Sequence, residues 1–99
     1  MKKFVILGNS PAGVVAAETL RQHNPDIELI MIAVDGLYPA DGDLYYKYLA
    51  NEISTSGLDY RPKAFYQKNN VQMILDERIT RVNLKTKKIH TETKQTISL

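Results

Sequence analysis

Gly8-Asn9-Ser10-Pro11-Ala12-Gly13 is the stretch on which the fold turns. Before it stands Phe4-Val5-Ile6-Leu7, a continuous apolar run with β-branched residues that Gly8 ends abruptly. Such a run predicts a strand buried on both faces, as in parallel sheets. After it, from Ala12 to about Gln22, the pattern becomes helical. Val14, Val15, Ala17 and Leu20 can share one broad face, while Glu18, Arg21 and Gln22 face water. Asn24-Pro25-Asp26 stops the helix, because proline cannot continue it. A second apolar run, Ile27 to Val34, follows and closes at Asp35-Gly36. Strand, helix and strand within about 30 residues make a βαβ unit with a right-handed crossover.

Each position of the turn has a physical task. The dinucleotide fingerprint G-x-G-x-x-G uses its first glycine for the tight exit from the strand and its last for close helix–sheet packing. Gly8 and Gly13 fill those places. The middle glycine, which lets a pyrophosphate approach the backbone, is replaced by Ser10. Serine is small, and its hydroxyl can donate to a phosphate oxygen. The helix starting near Pro11 then directs unpaired N–H groups and a partial positive charge at the phosphate. Asp35, 22 residues beyond Gly13, ends the second strand, where a carboxylate would accept hydrogen bonds from a ribose. Asp35-Gly36 also reads as a simple turn pair.

The remainder is shorter-ranged. Leu37 to Gly42 reads as loop, Asp43 to Asn51 as a short helix, and Ser54 to Leu58 as polar loop. Pro62 opens another short helix to about Lys68, which Asn69-Asn70 ends. Val71 to Leu75 is a third strand. Ile79 to Leu84 and Lys88 to Thr91 form a hairpin around Lys85-Thr86-Lys87, standing apart as an antiparallel flap, and Thr96 to Leu99 is one more short strand.

Composition narrows the function classes. At 99 residues, with 43% hydrophobic and 24% charged residues, the chain is one small domain at most. Its net charge of +2 owes most to Lys85, Lys87, Lys88 and Lys94, without the dense basic stripe and interleaved aromatics of a nucleic-acid binder. With no cysteine, thiolate metal sites, disulfides and cysteine nucleophiles are excluded. The four-residue apolar run after Met1-Lys2-Lys3 is too short for a signal peptide, and no stretch reaches the length of a membrane span. A cytoplasmic location is the expectation. His23 and His90 have no second ligand at metal spacing.

The order of these pieces resembles a family, the pyridine-nucleotide-dependent flavoprotein reductases. The resemblance is to the branch of NADH oxidases, nitrite reductase large subunits, and rubredoxin and ferredoxin reductases. That branch reads G-N-S-x-A-G, as Gly8 to Gly13 do, then Y-P, matched by Tyr38-Pro39. A helix ending Y-L-A-x-E-I-S follows, here Tyr48 to Ser54, and then R-P-x-x-F-Y, here Arg61 to Tyr66. Ile79-Thr80-Arg81-Val82-Asn83 fits the segment before the family's hairpin. The match runs from about Lys3 to Ile89.

The resemblance implies an α/β, Rossmann-like three-layer FAD/NAD(P)-binding fold, incomplete, with an antiparallel hairpin flap near the C-terminus. Residues 1–99 would be a partial FAD-binding domain. It would have a βαβ nucleotide-binding core at about 3–35, loop and short helices at about 36–70, and strand and hairpin at about 71–99. The implied cofactor is FAD, with NAD(P)H used by the parent enzyme. Gly8, Asn9, Ser10, Pro11, Ala12, Gly13 and Asp35 would hold its ADP moiety. Lys47 falls where some relatives place a lysine near the flavin ring; the position also suits a solvated helix lysine. Tyr45, Tyr46 and Tyr48 cannot all share one helix face.

Two departures stand out. Many relatives carry an arginine in a Y-x-R-P loop, where this chain has Ala40-Asp41-Gly42-Asp43, whose acids oppose a pyrophosphate. The sequence also stops at Leu99, before the family's A-T-G strand. That implies a truncated domain, inactive alone, with an exposed sheet edge suited to homodimerisation. A different class fits the same residues: a standalone, non-catalytic nucleotide-binding or protein-interaction module with a degenerate Rossmann core.

Overall fold

Lys3–Leu7 (β1) and Glu28–Ile32 (β2) pair in parallel, in register from Lys3 opposite Glu28 to Leu7 opposite Ile32. Pro11–His23 (α1) makes the crossover between them. The structure is a computed structural model, and it describes residues 2–8, 10–34, 39, 47, 49–54, 57 and 59–99. Beyond the βαβ unit come a short helix, Lys63–Lys68 (α2), and a third parallel strand, Val71–Ile74 (β3). Ile79–Asn83 (β4), Lys88–Thr91 (β5) and Thr96–Ser98 (β6) complete the chain. The parallel sheet runs β1-β2-β3 and a separate antiparallel sheet runs β4-β5-β6.

Alternation along β2 explains the layers. Leu29 and Met31 join Val14, Ala17, Ile27, Tyr66 and Val71 in a core on the side of α1 and α2. Ile30 and Ile32 point the other way, into a second core with Ile89 and Ile97 of the antiparallel sheet. Both faces of β2 are therefore sealed from Leu29 to Ile32, which is why those four residues are all apolar while Glu28 before them is exposed. Full burial of each such side chain is worth about 1.5–3 kcal/mol. The order is helices, parallel sheet, antiparallel sheet: the incomplete Rossmann-like three-layer α/β arrangement expected from the sequence, with antiparallel strands at the C-terminal end.

Four sequence expectations change. The hairpin does not stand apart. Ile89 and Ile97, partners in the β5–β6 ladder, lie flat on Ile30 and Ile32. Its weak alternation does not reveal this, because of the hairpin itself only Ile89 is buried in the contact, with Ile79 partly so. β1 is only partly buried. Among the described residues it is an edge of the sheet: Ile6 and Val5 pack partly into the two cores, while Phe4 and Leu7 are 37% and 51% exposed. On α1, Val15 is 45% exposed instead of packed, because Val14, Ala17 and, in part, Leu20 fill the contact with the sheet.

Arg21 is the fourth. It does not simply face water. Its Nε donates to Asn69 O at 2.8 Å, and its Nη1 to Pro25 O at 2.9 Å and Ile27 O at 2.8 Å. A longer bond reaches Asn24 O at 3.4 Å, and Nη2 donates to Asn70 O at 3.1 Å. One guanidinium thus satisfies carbonyls after the last turns of both α1 and α2, where helix ends leave them unpaired and partly negative.

A second polar tie sits between the sheets. Glu77 is buried, 5% exposed, and the Thr93 hydroxyl lies 2.7 Å from each of its carboxylate oxygens. The hydroxyls of Thr91 and Thr93 hold this carboxyl below its ordinary 4.5, helped by the Thr93 backbone N–H and against the upward push of burial. A lowered folded-state pKa stabilises the charged form, so the contribution is complete above the unfolded value. As the pH falls through 4.5 it declines, and below the folded-state value it is gone. Acid unfolding of Glu77→Gln, followed by circular dichroism, is expected to show a shallower loss of stability below that pH than the wild type.

Candidate nucleotide-binding site

The turn from Gly8 to Gly13 sits at the C-terminal end of the parallel strands, where open α/β sheets bind ligands. Gly8 donates its N–H to Ile32 O at 2.8 Å, fixing the turn to the end of β2. Its φ is +117°, a conformation that L side chains rarely adopt, and a Cβ there would project into open space with nothing within 4 Å. Gly13 is constrained by space instead. A Cβ would stand 3.3 Å from Ile6 Cγ2, 3.5 Å from Gly8 O and 3.9 Å from Met31 Cε. The two glycines thus perform the two tasks read from the sequence: one permits the turn, the other lets α1 press onto β1.

Ser10 is the N-cap of α1, with extended backbone, and its Oγ accepts the Gly13 N–H at 3.3 Å. The Val14 N–H goes to Ser10 O at 3.1 Å, and Pro11 has no N–H to satisfy. The Ala12 N–H has no partner among the described residues, and the Ser10 hydroxyl proton is still available to donate. Ser10 and Ala12 are exposed, so both donors face solvent at the positive end of the helix dipole. An exposed pair of donors, a helix N-terminus and a backbone free of side chains at Gly8 are the features that a diphosphate cradle requires. These residues fit the pyrophosphate of a dinucleotide.

The structure brings Gly8, Ser10, Pro11, Ala12 and Gly13 together. Asn9 and Asp35 lie outside the described residues, as do Tyr38, Asp41, Asp43, Tyr45, Tyr46 and Tyr48. β2 ends level with β1 beside the turn, with Leu7 opposite Ile32. Lys47 is helical and half-buried, its carbonyl accepting the Glu52 N–H at 2.8 Å, and no described hydrogen bond or ion pair joins it to the turn. Sequence reasoning missed Arg21 and Glu77. A basic residue in the last helical turn before Asn-Pro is a signal for the first; Asp76-Glu77-Arg78 reads only as a polar loop.

His23 Nδ1 lies 2.9 Å from Thr19 O and His90 Nδ1 3.4 Å from Thr96 Oγ1. Among the described residues no group of three or more His, Cys, Asp or Glu is placed to hold a metal. A cleft of about 570 Å³ between α2 and the outer edge of β3, lined by Lys63, Gln67, Gln72 and Met73 among others, includes no residue of the turn.

The sequence pattern that defines the pyridine nucleotide-disulphide oxidoreductases matches residues 2–98, nearly the whole chain. The chain belongs to that family. Members of the pyridine nucleotide-disulphide oxidoreductase family are FAD-dependent NAD(P)H oxidoreductases. Among curated relatives, apoptosis-inducing factor 3 of Homo sapiens is 29% identical over 85 residues, covering 86% of this chain and 14% of the relative. The Mus musculus protein of the same name gives the same figures. The chain therefore spans about a seventh of the length of the curated relatives it matches.

Solved structures agree on the fold. The NADH:rubredoxin oxidoreductase of Clostridium acetobutylicum superposes with a TM-score of 0.87 at 24% identity, over 98% of this chain and 25% of that one. A ferredoxin reductase from Rhodopseudomonas palustris gives 0.86 at 22%, over 99% and 24%. This oxidoreductase-family chain has no cysteine, so none of its own side chains can supply a redox disulfide. No helix among the described residues is long and apolar enough to cross a membrane.

Proposed function

We propose that this chain is the segment that binds the ADP moiety of FAD in an FAD-dependent NAD(P)H oxidoreductase of the cytoplasm. The observation that carries the reading is the Gly8–Gly13 turn, with its positive-φ glycine and its two outward donors at one helix N-terminus. The Ala12 N–H and the Ser10 hydroxyl bind the pyrophosphate oxygens. Gly8 keeps side-chain atoms out of their path, and Gly13 seats the helix close enough for its N-terminus to reach them. Asp35 accepts from the ribose hydroxyls at the end of β2. Lys47 is assigned to the flavin side of the cofactor, where a cation stabilises negative charge on the ring. FAD, when bound, supplies the hydride-accepting chemistry. The residues of the turn bind and orient; none of them is a nucleophile or a general base, and the chain alone is proposed to turn over no substrate.

Calorimetry with ADP tests the reading. The wild-type chain is expected to bind saturably, and Asp35→Ala to bind about tenfold more weakly. That is the lower end for one hydrogen bond to a charged group, about 1.5 kcal/mol. Equal affinity in the two proteins would remove Asp35 from the ribose.

An assembly prediction accompanies it. β1 forms one edge of the sheet among the described residues, with Phe4 and Leu7 exposed. Unpaired strand edges invite pairing with another chain. The 99-residue chain is expected to dimerise through β1, and light scattering that reports a monomer at tens of micromolar, about a typical assay concentration, would count against it.

A further inference from the structure

We infer that Glu77 is a positioning residue for the nucleotide end of the parallel sheet, its carboxylate latching the antiparallel sheet to the turn that supports Gly8. The ligand arm of this inference rests on the nucleotide-binding reading above; the structural arm does not.

The latch begins at the surface and ends at the phosphate turn. The exposed Thr93 hydroxyl donates to the buried Glu77 carboxylate at 2.7 Å. Buried Thr91, also bonded to that carboxylate, accepts the Gln95 N–H on its hydroxyl at 3.1 Å, which ties in the β5–β6 turn. From Glu77 the path is backbone. Its N–H donates to Ala33 O at 2.9 Å, and the Ala33 N–H donates to Ile74 O at 2.9 Å. One residue earlier, Ile32 O accepts the Gly8 N–H at 2.8 Å. A continuous line of short hydrogen bonds and one peptide link thus runs from Thr93 to Gly8. Asp76, left-handed at φ 59°, makes the bend that aims the Glu77 N–H at Ala33, and Glu92 N–H to Arg78 O at 2.8 Å holds the same bend from the flap.

Charge makes this more than packing. A carboxylate taken out of water is costly unless hydrogen bonds compensate it. Here no ion pair among the described residues does so; two threonine hydroxyls of the flap do. Arg78, next in sequence, pairs with Glu92 at 3.7 Å, and both side chains are exposed. The charge is satisfied only while the flap is docked, so docking and the position of Ala33 are set together. Local openings of such a turn have their own free energy, separate from global unfolding.

Amide hydrogen exchange by NMR, with ADP titrations on the same samples, tests this. Glu77→Gln and Thr93→Val are expected to speed exchange at Gly8, Ala33 and Glu77 by about tenfold, leaving Ile30 and Met31 in the middle of β2 unchanged. Thr93→Ser, which keeps the hydroxyl, is expected to exchange as the wild type does. Thr93 is exposed, so its variants fold even if Glu77→Gln does not. ADP affinity is expected to fall about threefold to tenfold in Thr93→Val and to recover in Thr93→Ser. Faster exchange confined to residues 88–98, or the same factor at every amide, would overturn the inference; so would a changed exchange pattern with unchanged ADP affinity. If the wild-type chain binds no ADP, the nucleotide reading fails, and the pattern at Gly8 and Ala33 still decides the latch.

Discussion

Replacing Gly8 with valine is expected to weaken ADP binding by about a hundredfold or more, equivalent to about 2.7 kcal/mol. Two effects combine. At φ +117° a β-branched residue is strained, and such positions cost about 1–3 kcal/mol each. The chain can relieve the strain only by rotating the peptide that donates to Ile32 O, which moves the turn. If it does not rotate, the valine side chain projects into space that is open in the wild type, where the proposed diphosphate would meet it. Either way the ligand loses its contact with the Ser10 and Ala12 donors. Gly13→Ala is the informative contrast. Its Cβ would press on Ile6 Cγ2 at 3.3 Å, inside the protein and away from the ligand. It is expected to lower the thermal midpoint while changing affinity by less than about threefold. Calorimetry on both variants, at a temperature where circular dichroism shows each folded, separates the two glycines. Equal affinity losses would mean that Gly8 acts only through the fold.

Replacing Arg21 with alanine is expected to cost about 3 kcal/mol and to lower the thermal midpoint by about 15 °C. The side chain is half-buried and its bonds converge on carbonyls of Asn24, Pro25, Ile27, Asn69 and Asn70. Each carbonyl left without its donor keeps part of its desolvation cost, and a chain of this size has little margin. Arg21→Lys is expected to recover less than half of the loss. An ammonium is a compact point charge with three donors and cannot span carbonyls from two helix ends as the planar guanidinium does. Thermal denaturation of the three proteins measures this. A midpoint for Arg21→Ala within about 2 °C of the wild type would show that water replaces the guanidinium at no cost.

How far the sequence alone reaches depends on the range of the interaction. The βαβ unit is legible because its signals are local: an apolar run, a glycine, a helical period and an Asn-Pro stop all act within a few residues. The same holds for α2, begun after Pro62 and ended at Asn69-Asn70, and for the pairing of β4 with β5. The turn geometry at Gly8 and Gly13 is legible for the same reason. What the sequence hides is set by partners far along the chain. Whether Phe4 and Leu7 are covered depends on the strand order, not on β1 itself. Ile89 and Ile97 find Ile30 and Ile32 only once both sheets exist. Arg21 meets Asn69 across 48 positions of chain, and Glu77 meets Thr93 across 16. Each reads in sequence as an ordinary surface charge, and only the third dimension makes it structural.

If the Gly8–Gly13 turn receives the diphosphate of a nucleotide, an NMR titration of the wild-type chain with ADP will show it. Saturable shifts are expected at the amides of Gly8, Ala12, Gly13 and Val14, with the flap amides of Ile89 and Ile97 nearly still. Saturable shifts centred elsewhere, or none with ADP at about 10 mM, beyond the weakest affinity that could be useful, would contradict it.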